Sequence, residues 1–136
     1  MAVWKRTRKN RKNRKSVSNK NILNTRLQAC SSGSEKTTGF YRDGYCSTGP
    51  TDTGTHVVCA KMDNDFLAFT KSKGNDLITP QNSFPGLVAG DEGCVCALRW
   101  KEAYDAGKAP KIIPRATSYA ATQYIGKDVL MKYALR

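Results

Sequence analysis

Long apolar runs are missing from this 136-residue sequence. None approaches the roughly 18–20 residues that a membrane span needs, and the N-terminus lacks the apolar stretch of a secretory signal. Histidine is nearly absent: His56 stands alone, which weakens any mechanism built on a histidine pair. Nucleophile-elbow, paired-carboxylate and dinucleotide-binding motifs are absent too, and with them the commonest hydrolase and dehydrogenase signatures. These absences predict a soluble, cytoplasmic chain with no membrane partner. In such a reducing compartment five cysteines read as thiols or metal ligands rather than as a disulfide frame, and their odd number agrees.

Charge is what the sequence has first. Lys5, Arg6, Arg8, Lys9, Arg11, Lys12, Arg14 and Lys15 crowd the first fifteen positions without one acid. The net charge is +12 overall; without those eight it is +4, so the basic character belongs to the tail rather than to the fold. Residues 1–20, with Lys-Asn-Arg repeated at 9–11 and 12–14, cannot bury enough surface to offset their ordering entropy and are predicted to be a disordered basic tail. Such a tail would bind nucleic acid electrostatically, with Trp4 as a stacking group. Deleting residues 1–16 should then abolish salt-sensitive RNA or DNA binding, and unchanged binding would exclude the tail. A transit peptide fits less well, because the segment is poor in Ser and not amphipathic. Translated purine-rich upstream DNA, with Val17 as the true start, explains the composition equally well.

A single domain is expected over residues 21–136. From Cys30 to Gly54 turn residues dominate, Asp43-Gly44 most clearly, and a loop this long is often functional. Thr55–Ala60 reads as a short buried strand. Asp63 or Asn64 can cap a helix to about Lys73, with Phe66, Leu67 and Thr70 inward and Gly74 as the stop. Residues 75–90 read as loop. Leu98, Trp100, Ala103 and Tyr104 suit a helix over 97–106. Residues 94–96 fit either a strand end or a first helical turn. Lys111–Ile113 reads as a strand, and helices are expected from Thr117 or Ser118 to Tyr124 and from Asp128 to Tyr133. The order implies an α+β fold, a small two-layer sandwich with long Gly/Pro-rich loops.

The spacing of Cys30, Thr38–Gly44, Cys46, Thr48-Gly49-Pro50, Asp52, Gly54, His56 and Cys59-Ala60 resembles one bacterial family, domain of unknown function 2237. So does that of Lys71–Leu77, Thr79-Pro80, Phe84–Leu87, Gly90-Asp91, Cys94, Cys96, Arg99 and Trp100. The resemblance runs from about Asn21 to Leu135. It implies kinship and no reaction, substrate or cofactor. Two positions depart from the expected pattern: Gly93 stands where Trp is expected, and Ser118 where His is expected.

Candidate chemistry centres on the cysteines. Cys46, Cys59, Cys94 and Cys96 are the set that could ligate zinc, although no cofactor is expected. On a regular strand the odd separation of His56 and Cys59 sends them to opposite faces, which opposes a four-ligand site. The commonest role of such cysteines is as small buried apolar residues. Cys94 in a first helical turn after an Asp91 cap would gain thiolate character, opposed by Asp91 and Glu92. Arg42 can hold a carboxylate or phosphate beside Tyr41, or pair with Asp43 and pin its loop. Lys73, Asn75 and Asp76 could add polar groups to the same pocket, or simply cap a helix exit. His56 and Asp43 are the candidate proton carriers, and a lone strand histidine is more often structural. The resulting expectation is a small-ligand-binding or thiol-chemistry domain, with Cys94 or Cys96 as the thiol; the alternatives are a nucleic-acid-associated protein acting through its basic tail and a purely structural or partner-binding domain.

Overall fold

The computed structural model describes residues 20–31, 38–82 and 84–135; the expectations placed on residues 1–19 lie outside them. The fold is α+β. Its sheet is one antiparallel pair, β1 (His56–Lys61) and β2 (Glu92–Cys96). Around it stand α1 (Asn64–Ser72), α2 (Ala97–Asp105) and α3 (Lys127–Lys132), with 3₁₀ turns at Pro114–Ala116 and Tyr119–Gln123. No helix among the described residues is long and apolar enough to cross a membrane.

Helix α1 forms as its sequence dictates. Asp63 is extended and its carboxylate accepts the Phe66 N–H at 2.7 Å, satisfying a backbone donor that the first turn leaves open. Phe66, Leu67 and Thr70 are buried, and Gly74 follows the helix at φ 93°, where a side chain would be strained. Helix α2 begins directly after β2, with extended Cys96 as its cap residue. Residues 94–96 are therefore strand, not a helical turn, so Cys94 has no helix terminus to favour its thiolate.

Two other expectations change. Lys111–Ile113 forms no strand; Ile112 alone bridges Ala60 on one side and Ala134 on the other, because Pro110 and Pro114 leave too few donors for a longer ladder. The last helix is capped by Gly126 rather than Asp128. Ser118 does cap the turn before it, accepting from the Ala120 N–H at 3.1 Å, but that turn is 3₁₀.

Val57, Val58, Phe66, Trp100, Ile112 and Leu130 are fully buried in the main core. Trp100 stacks on Tyr104 at 5.7 Å, meets Tyr133 edge-on at 5.2 Å, and donates its indole N–H to the Pro110 carbonyl at 3.1 Å. The segment from Lys20 is fastened by Asn21, wholly inaccessible. Its amide donates to the Thr25 hydroxyl and to the Arg26 and Arg115 carbonyls, and its oxygen accepts from the Leu23 and Thr25 N–H groups.

A second buried cluster holds Cys30, Cys46, Cys59, Ile113 and Ala116. Here the structure overturns the expectation of free thiols. Cys30 is bonded to Cys59 and Cys46 to Cys94, with Cα separations of 5.6 and 5.2 Å. The pairs span 29 and 48 residues of sequence, distances over which spacing carries no pairing signal. Cys96 is the free cysteine among the described residues.

Candidate functional site: a cleft against a disulfide-bearing sheet face

The register of the two strands builds the site. Lys61 pairs with Glu92, Cys59 with Cys94 and His56 with Cys96, whereas Ala60 opposite Gly93 and Val58 opposite Val95 form the other set. Directly opposed residues share a face. The ladder is irregular between His56 and Val58, where one extra residue is accommodated as a bulge. That bulge corrects the parity argument from sequence: His56 and Cys59, three apart, lie on the same face as Cys94 and Cys96. A bulge can re-aim a side chain in this way without disturbing the rest of the strand.

His56 is held from behind. Its Nδ1 lies 2.7 Å from Asp52 Oδ1, its backbone N–H donates to Asp52 Oδ2 at 2.9 Å, and the Thr48 hydroxyl donates to the same oxygen at 2.9 Å. The Asp52 side chain is wholly inaccessible, while that of His56 is 41% exposed. Burial alone would raise the carboxyl pKa, but the hydrogen bonds from His56 and Thr48 and the charge of His56 outweigh it, leaving Asp52 below its usual value. An ionised Asp52 fixes the proton of a neutral imidazole on Nδ1 and leaves Nε2 as the acceptor. Gly54 makes room for the ring: a Cβ there would collide with the imidazole.

In front of this face lies a cleft of about 460 Å³, a size suited to a small molecule. Phe40, Leu77, Phe84, Pro85 and Leu87 supply apolar walls, and Thr38, Arg42, His56, Asp76, Glu92 and Cys94 supply polar and sulfur groups. Thr38 also accepts the Cys94 N–H at 2.8 Å. The loop carrying Arg42 turns back sharply, with the Arg42 N–H donating to Gly39 at 3.0 Å and Arg42 at φ 56°. Asp76 accepts from the backbone N–H groups of Ile78 and Thr79; hydrogen bonds from Thr79, then from Ile78, hold its pKa down to about 2. Gly93, at the position where Trp was expected, has Thr38, Met62 and Leu87 at ordinary contact distance around the space a Cβ would fill.

Of the residues singled out from sequence, the structure brings Arg42, His56, Asp76 and Cys94 to the cleft. Tyr41 lies beside it, edge-on to Phe40 at 5.0 Å, with its hydroxyl against Gly49. Asp43 accepts the Tyr45 N–H at 3.0 Å, a local turn bond. Lys73 caps α1 and lies over the Phe69 ring, and the Asn75 amide donates to the Thr70 hydroxyl at 3.0 Å, so these two serve the helix exit. Cys96 is half-buried opposite His56. Asp52 was missed, although a carboxylate four residues before the lone histidine was a legible signal.

The Sγ atoms of Cys30, Cys46 and Cys59 lie within 4.8 Å of one another. This grouping includes Cys30, which the sequence-based zinc set of Cys46, Cys59, Cys94 and Cys96 left out. A metal ligand must be a thiolate, and all three sulfurs are taken up in disulfides.

These features define a small disulfide-bonded α+β protein whose cleft carries a histidine–carboxylate dyad. The family described as an uncharacterized protein conserved in bacteria, domain of unknown function 2237, matches residues 20–134, and the chain belongs to it. No curated protein matches it.

Proposed function

We propose that the cleft binds a small thiol-bearing ligand and that its chemistry is thiol–disulfide exchange at Cys46–Cys94. One observation carries this reading: Cys94 lines the cleft on the same sheet face as His56, whose Nδ1 is fixed by buried Asp52. In the first step His56 Nε2 takes the proton from the incoming thiol, and the resulting thiolate attacks Cys94 Sγ. The Cys94–Cys46 bond breaks, a mixed disulfide forms on Cys94, and Cys46 leaves as thiolate. A second thiol attacks the mixed disulfide, releasing oxidised ligand and the Cys94 thiolate. Two ligand thiols thus become one disulfide while the protein gains two thiols. Arg42 supplies a guanidinium for a ligand carboxylate. Asp52, rather than Asp43, orients the proton carrier, and no cofactor is required. The reading suits a cytoplasmic setting, where disulfides are typically transient and catalytic or redox-sensing.

Glutathione, a thiol with carboxylates, is the probe. Acid quenching and peptide mapping should find the mixed disulfide on Cys94. His56→Gln should slow its formation roughly 10²-fold near neutral pH, with an unchanged melting temperature. The difference should vanish above about pH 9–10, where the thiol ionises unaided. An adduct confined to Cys96, or a pH-independent effect of His56→Gln, would sink the proposal.

A further inference from the structure

The two disulfides are packed against each other. Cys46 Sγ lies within 4.8 Å of both Cys30 Sγ and Cys59 Sγ, and Cys59 and Cys94 are directly opposed across the ladder. Their surroundings differ. Cys94 is half-buried on the cleft wall, whereas Cys30 is 3% exposed and Cys46 and Cys59 are wholly inaccessible. Cys30–Cys59 is therefore closed to any external thiol in this fold, yet it sits beside a sulfur that is released whenever Cys46–Cys94 opens.

We propose that Cys30–Cys59 is a second redox-active disulfide, coupled to Cys46–Cys94 by internal exchange through Cys46. The released Cys46 thiolate attacks one sulfur of Cys30–Cys59, a Cys46–Cys30 or Cys46–Cys59 bond forms, and the other sulfur leaves as thiolate. This step is an isomerisation: one disulfide breaks, one forms, and no external electron acceptor is needed. A thiolate in apolar surroundings is costly, and exchange moves that charge on instead of leaving it at Cys46. Attack of the Cys94 thiolate on Cys46 then re-forms Cys46–Cys94 and releases the second buried sulfur, so Cys30 and Cys59 are left as thiols, Cys46–Cys94 is ready for another pair of ligand thiols, and the protein stores two pairs of electrons rather than one. The first step rests on the reading of Cys94 as the sulfur that ligands attack. The internal step rests only on the sulfur geometry, and it is tested without any ligand.

The test uses full-length Cys94→Ser, which leaves Cys46 as a thiol beside an intact Cys30–Cys59. After incubation at mildly alkaline pH, the protein is quenched in acid, digested with pepsin and mapped for disulfide-linked peptides. Cys46 linked to Cys30 or Cys59 is expected alongside the Cys30–Cys59 pair. Cys30–Cys59 alone, with Cys46 recovered entirely as thiol, overturns the inference. A parallel measurement on the unmutated protein covers a Cys94→Ser variant that fails to fold: one equivalent of dithiothreitol, then acid quench, alkylation and mapping. Thiol label at Cys30 or Cys59 in partly reduced molecules supports internal exchange, and label only at Cys46 and Cys94 refutes it. If glutathione never forms an adduct at Cys94 yet Cys94→Ser shows exchange, the ligand reading falls and the internal relay stands.

Discussion

Reduction of both disulfides is expected to lower the melting temperature by about 20 °C or more. The pairs close loops of 29 and 48 residues in sequence separation, and in the chain-entropy model each closure is worth about 3.5–4 kcal/mol. The loops overlap between Cys46 and Cys59, so the joint effect is a little smaller than the sum, about 7–8 kcal/mol on the same model. That is comparable with the whole stability of an ordinary domain, about 5–15 kcal/mol. Circular dichroism melts with and without a phosphine reductant measure the shift. Cys96→Ser, which touches neither disulfide, should melt like the unmutated protein under both conditions. A shift below about 5 °C on full reduction would show that the cross-links contribute almost nothing to the fold.

Trp100→Ala should cost about 3–5 kcal/mol. Trp100 is the largest of the fully buried side chains and joins α2 to the last helix through Tyr133. Its truncation removes the ring contacts with Tyr104 and Tyr133 together and leaves the Pro110 carbonyl without its indole donor. Trp100→Phe separates the two losses: it keeps much of the packing and forfeits the hydrogen bond, for about 1–3 kcal/mol. Urea unfolding reads both as a lower midpoint at unchanged slope. Equal costs for Phe and Ala would mean that the hydrogen bond, not the aromatic packing, is what the core depends on.

The helices were legible because their signals are local. Asp63, the inward stripe of Phe66, Leu67 and Thr70, and Gly74 lie within one short stretch, and the Trp100 helix is equally self-contained. The site was not, because its parts meet through pairings that sequence spacing does not encode. Cys30 and Cys59 are joined across a chain reversal, and the period-two rule for His56 and Cys59 failed at a bulge that no Gly or Pro announces. Four of the six polar and sulfur groups of the cleft were named, Arg42, His56, Asp76 and Cys94. Most of its apolar walls come from the 75–90 stretch, where turn residues concealed that Leu77, Phe84 and Leu87 face a common space.

Lys20 and Ile22 are hydrogen-bonded to Tyr119 and Thr117, and Tyr133 and Leu135 to Ile112. Both outlying segments therefore clamp the stretch 112–119, whose Ile113 and Ala116 roof the sulfur cluster. The same stretch is also bonded to β1: the Ile113 and Ser118 N–H groups donate to the Cys59 and Val57 carbonyls, and the Cys59 N–H donates to the Thr117 hydroxyl. The cover over the hidden sulfurs is thus tied to the strand that carries Cys59 as well as to both outlying segments. Cys30 and Cys59 are therefore uncovered only when bonds to β1 break as well, which keeps them out of reach while the outer segments fray.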